Sequence, residues 1–215
     1  ASMIIARLIS LLDSAVMARA YALAALGIAV FQVTIENVSD TVTLTTMVVL
    51  LAVLGLAILV VRRRELSILR LAPTTLVLFV LWLGVTVVWA KDSWLSLLGW
   101  LALVGWTIIA VVVAHIRDTL QTVRALGDVM RVALAVSLIL EIMSGILLDM
   151  PFPFLGIQGN IAEGGPLQGV FGTRNLLGLM AVIALLTFII EHRTQSVSRA
   201  LGVGSMVLAA LFAVL

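Results

Sequence analysis

Arg174 and Asn175 follow a glycine-rich stretch and open a long apolar run. The first backbone N–H groups of a helix have no intrahelical acceptor. At such a start the guanidinium, the Asn amide and those N–H groups can converge on one anion. A guanidinium keeps its proton and binds phosphate bidentately, so phosphate suits the set. The competing reading is an interfacial arginine whose charge snorkels to lipid headgroups. The glycine-rich stretch lacks the GxxxxGK[ST] spacing, so ATP is not indicated.

Two further places hold polar residues among apolar ones. Lys91 and Asp92 form a short turn flanked by Trp89 and Trp94. Taken alone, this reads as a hydrophilic turn between interfacial tryptophans; if it meets the Arg174 turn, Lys91 becomes a second cation for the same anion. Glu141 lies near the middle of an apolar run, with Ser137 and Ser144 at i−4 and i+3 on the same helical face. An ionisable group at bilayer depth faces other helices or a cavity. It is either a proton-relay carboxylate of a transporter or a structural acid hydrogen-bonded to a neighbour, and no other ionisable residue at matching depth continues a relay. The chain has no cysteine and two histidines, which leaves no thiolate site, no cysteine nucleophile and no convincing metal cluster.

The elements that position these residues follow from composition. The chain of 215 residues is 63% hydrophobic and 11% charged, with a mean hydropathy of +1.26. That is the composition of a polytopic membrane protein. The net charge of +2 does not point to nucleic acid, because the basic residues punctuate apolar segments rather than gather on a solvated face. Asp13 interrupts any signal-peptide apolar region, so a cleaved signal is rejected. Apolar runs at 21–35, 43–61, 74–90, 95–114, 132–148, 175–190 and from 201 onward predict an all-α bundle of about seven transmembrane helices in one membrane domain, the last helix cut short. The missing initial Met and the final apolar run of 15 residues (201–215) lead to the expectation of a piece of a longer protein.

Eleven of the 13 basic residues fall on one side if the N-terminus is cytoplasmic, and Lys91 and Arg174 alone lie outside. Residues 1–20, RRRELSILR and IRDTLQTVRALGDVMR read as amphipathic segments on the inner membrane surface. In the last of these, Ile116, Leu120, Val123 and Met130 are expected to face the lipid. On the outer side, the connection 149–174 holds six of the 16 glycines. Its interspersed Phe152, Phe154, Leu155, Ile157, Leu167 and Phe171 predict an ordered loop that dips toward the bilayer.

The stretch GPLQGVFGTRNLLGLMA resembles the signature of the O-antigen ligase and polymerase superfamily, in Gly169, Phe171, Gly172, Arg174, Asn175 and Gly178. WAKDSWLSLLG is similar to a short polar segment such proteins show between two helices. The resemblance covers the first half of what the family carries. It implies a bacterial inner-membrane glycosyltransferase that moves a glycan from undecaprenyl diphosphate to an acceptor hydroxyl on the outer face, without metal or cofactor. Arg174 and Asn175 would be the catalytic pair, with Lys91, Asp92, Gln168, Gly169 and Gly172 binding substrate. The family's large external loop, with a further arginine and a histidine, would lie beyond residue 215, so this stretch alone is expected to be inactive. The expected partners are a lipid-linked glycan donor, a glycan or lipid acceptor, and membrane lipid. His115 and His192 sit at inner helix ends, and Asp92, Asp149 and Glu163 are outer carboxylates without an assigned partner, so no base is named. Two other classes remain: a transporter or flippase for a lipid or small anion with Glu141 as coupling group, and a non-catalytic scaffold subunit.

Overall fold

The computed structural model describes residues 7, 9–62 and 72–214. Eight α-helices of seven residues or more run through the described chain: α1 Ala15–Val30, α2 Gln32–Val38, α3 Thr41–Val61, α4 Thr74–Thr86, α5 Ser93–Ile116, α6 Thr119–Ile142, α7 Arg174–Arg193 and α8 Arg199–Val214. No strand forms among the described residues beyond one isolated antiparallel bridge, Phe152 to Ile157. The amphipathic segment read in RRRELSILR lies, after Arg62, outside the described residues, as does most of residues 1–8.

Among the described residues, four helices are long and apolar enough to cross a membrane: α3, α5, α6 with its C-terminal extension to Leu147, and α7. At ~1.5 Å per residue, ~20 residues span the ~30 Å hydrocarbon layer. The pair α1 and α2 makes a fifth if taken as one broken span, bent by 67° at Phe31. Two further apolar helices, Thr74–Trp89 and Arg199–Val214, are shorter than 18 residues, so among the described residues four or five of the about seven expected helices, the last of them cut short, reach spanning length. The first expected span, 21–35, is a bent pair rather than one rod.

The chain folds as two compact units. The first takes the described residues up to Ala25 with Thr45–Asp118; the second takes Leu26–Leu44 with Thr119 onward. In the first unit, Trp100 Nε1 on α5 donates to the Val80 carbonyl of α4 at 2.9 Å, and the buried Tyr21 hydroxyl of α1 donates to the Leu51 carbonyl of α3 at 3.1 Å. Arg62, at the end of α3, pairs with Asp13 at 3.3 Å.

In the second unit α6, α7 and α8 pack together. The polar stretch from 119 to 131 is not a separate surface helix: it is the first half of α6. No proline interrupts the stretch, and Ala125, Val129, Ala133, Ser137 and Glu141 recur every four residues as one buried stripe. Burial against the neighbouring helices sets the face that α6 turns inward. Of the residues expected to face the lipid, Leu120 is 50% exposed, whereas Ile116 and Met130 are buried.

Candidate functional site

The mouth of α7 is built by the chain between α6 and α7. After Ile142 the helix widens into a π turn, Met143–Leu147. Ser144 Oγ then donates to the Met150 carbonyl at 2.6 Å. Short 3-10 turns follow at Pro153–Leu155, Ile161–Glu163 and Gly169–Phe171, each ended by a glycine in the left-handed region. Leu155, Ile157, Leu167, Val170 and Phe171 are buried. The loop thus packs on its own apolar side chains, although Phe154 is exposed.

Polar groups of α6 and α2 hold the last part of this loop. Glu141 is 1% exposed. Its Oε1 accepts the backbone N–H of Gln168 at 2.7 Å and of Gly169 at 2.8 Å. One turn earlier on α6, Ser137 Oγ accepts the Val170 N–H at 3.1 Å, while Thr34 of α2 donates to the Val170 carbonyl at 2.5 Å. Gly169 is required by close approach: it has φ +54°, and a Cβ there would lie 2.5 Å from Ser137 Oγ. The three residues Ser137, Glu141 and Ser144, aligned by sequence on one helical face, all engage the loop or its first residues.

Thr173 caps α7, its side chain accepting the Leu176 N–H at 3.3 Å. Arg174 and Asn175 are exposed in the first turn. Among the described residues neither side chain has a hydrogen bond or ion pair. Gln168, Gly169 and Gly172 lie in the same corner, but the amides of Gln168 and Gly169 are turned to Glu141, and the Gln168 Oε1 is buried without a donor. Gly172, at φ +74°, has Val33 of α2 against it. Lys91 and Asp92 belong to the first unit. Both are exposed, and Asp92 is the cap of α5, accepting the Leu95 N–H at 3.0 Å. Asp92 thus has a local role that sequence spacing alone did not assign, the ordinary one of an acid before a helix.

Sequence reasoning missed a second polar cluster in the same unit. Glu191, near the end of α7, is 1% exposed and pairs with Arg131 of α6. Arg131 also reaches Asp128 at 3.0 Å and Ser205 of α8 at 3.0 Å, and its guanidinium stands 4.9 Å from the centre of the Phe188 ring. A Cβ on Gly127 would lie 2.5 Å from a Glu191 oxygen. The available signal was an acid, Glu191, closing an apolar run whose inner neighbours are arginines. No group of three or more His, Cys, Asp or Glu side chains suited to a metal occurs among the described residues. No family model, curated protein or solved structure matches the chain.

Proposed function

We propose that the mouth of α7 binds the diphosphate head of a lipid-linked glycan, and that the protein belongs to a membrane glycosyltransferase of the O-antigen ligase type. The observation that carries this reading is Arg174 in the first turn of α7, exposed and without a counter-ion among the described residues. A cation there opposes the helix dipole, whose positive end favours an anion by ~0.3–1 kcal/mol. An anion seated at the mouth would reverse that penalty, taking hydrogen bonds from the guanidinium, from Asn175 and from the first-turn N–H groups.

In glycosyl transfer, negative charge grows on the leaving diphosphate as the glycosyl C–O bond breaks and the acceptor hydroxyl attacks. Arg174 would stabilise that charge; removing one such donor costs roughly 100-fold to 1000-fold in rate. Four to five apolar helices fit a membrane setting for the carrier's prenyl chain. With the basic ends of the helices inside, the mouth of α7 faces outward in a bacterial inner membrane.

The test is binding of a polyprenyl diphosphate to the purified protein in detergent or nanodiscs, wild type against Arg174→Ala, with the matching monophosphate as control. The expected result is selective diphosphate binding that falls by roughly 10-fold or more in the variant, the loss of a charged hydrogen-bond set. Equal binding by both proteins would make Arg174 an interfacial anchor. It would also bring forward a transporter or flippase using Glu141 as coupling group.

A further inference from the structure

The corner that ends in Arg174 is fixed from behind, residue by residue. Gln168 and Gly169 donate their amides to Glu141. Val170 is held at both its N–H, by Ser137, and its carbonyl, by Thr34. Phe171 is buried, Gly172 turns in the left-handed region, and Thr173 caps the helix. Only then do Arg174 and Asn175 emerge exposed. Burial of Leu167 and Phe171 keeps the loop down, but apolar contact is not directional. Hydrogen bonds are directional, and here they come from α6 and α2.

From this arrangement we infer that Glu141 is the positioning residue of the Arg174 site, acting as a hydrogen-bond acceptor that sets where α7 begins and not as a group that loads and releases a proton. The inference rests on the diphosphate-binding reading of Arg174. Both amide bonds end on the same oxygen, Oε1. A glutamine at this position supplies one carbonyl oxygen in the same place, so Glu141→Gln separates acceptor geometry from carboxylate charge. Glu141→Ala removes the acceptor and leaves two N–H groups, one buried and one part-buried, unpaired. A proton-coupling carboxylate has the opposite signature: its amide analogue keeps the fold and loses the function.

The experiment uses the full chain in nanodiscs as wild type, Glu141→Gln, Glu141→Ala and Arg174→Ala. Amide hydrogen exchange across 167–173 reports the anchor, and affinity for the polyprenyl diphosphate reports the site. Glu141→Gln is expected to keep both the exchange protection and the affinity. Glu141→Ala is expected to lose protection at 168–170 and roughly 10-fold or more in affinity, while exchange in the α7 and α8 core stays as in wild type. Glu141→Ala with wild-type affinity would reduce Glu141 to a structural residue and overturn the inference. So would Glu141→Gln with its loop protected and its affinity lost, since charge would then be required. If Glu141→Ala does not fold, Ser137→Ala and Thr34→Val loosen the Val170 clamp instead and are expected to lower affinity in the same direction; unchanged affinity in both overturns the inference. Wild-type affinity in Arg174→Ala would remove the site itself, while the exchange data from the two Glu141 variants would still report whether that carboxylate anchors the loop.

Discussion

Two glutamates in the second unit are equally buried and are answered in different ways. Glu141 meets neutral backbone N–H groups of a loop, and Glu191 meets the guanidinium of Arg131 on a neighbouring helix. The first arrangement ties a loop to a helix; the second ties helix to helix. A buried ion pair gains Coulomb energy against a large desolvation cost, so its net value is small, although losing one partner is expensive. Amides facing a carboxylate carry no net charge, so removing the carboxylate leaves unpaired dipoles rather than an unpaired ion. The comparison therefore predicts a global role for Glu191 and a local one for Glu141.

The largest effect is expected at the ion pair. Glu191→Ala leaves the mostly buried Arg131 with only the exposed Asp128 as a carboxylate partner and should cost up to ~3–5 kcal/mol of stability, read from unfolding in detergent. Replacing both partners by apolar residues, Arg131→Met with Glu191→Leu, should restore most of that loss. The same truncation at Glu141 should cost less, ~1–3 kcal/mol, and show itself in the loop. If Glu141→Ala lowered global stability as much as Glu191→Ala, the distinction between the two carboxylates would collapse.

The glycines facing the two carboxylate sites sharpen the contrast at smaller cost. Gly127→Ala drives a methyl group into the Glu191 carboxylate, and Gly169→Ala drives one into Ser137 Oγ from a left-handed backbone. Each should cost ~1–3 kcal/mol, as overpacking does. Gly127→Ala is expected to lower the unfolding midpoint of the helices, whereas Gly169→Ala should raise amide exchange across 167–173 first. The reverse pattern would mean that the loop supports the helices rather than hanging from them.

The smallest effect belongs to a third carboxylate, one that is exposed. Asp40 accepts the Thr43 N–H at 2.6 Å ahead of α3, and this backbone hydrogen bond is the first cause holding its carboxyl below its ordinary value of 3.8. With the folded value depressed, the stabilisation is fully present above pH 3.8 and is lost as pH falls through the lower, folded value. Asp40→Asn, which still accepts from Thr43, should flatten that acid-side dependence in a titration of helix content with little change at neutral pH. An unchanged profile would assign the acid sensitivity to other carboxylates.

Much of the molecule was legible in residue order. Apolar runs placed the helices because each must satisfy its backbone within itself in lipid. The three-and-four spacing of Ser137, Glu141 and Ser144 put them on one face before any partner was known. The glycines at 156, 164, 169 and 172 marked where the loop turns, since all four adopt positive φ. Span length was less legible. The sequence did not disclose the bend at Phe31, which contains no proline or glycine of its own, nor that polar residues 119–131 would continue into a span.

The sequence by itself determined that this chain forms apolar helices, that a glycine-rich connection leads into the helix opened by Arg174, and that one acid lies deep in a helix, because periodicity and composition are local properties. Only the tertiary structure decided what that acid faces, that Thr34 reaches Val170 across 136 residues of chain, and that Arg131 answers Glu191. Those pairings depend on which helix faces meet, and the physical rule that buried polar groups must find partners specifies that a partner exists without saying which one.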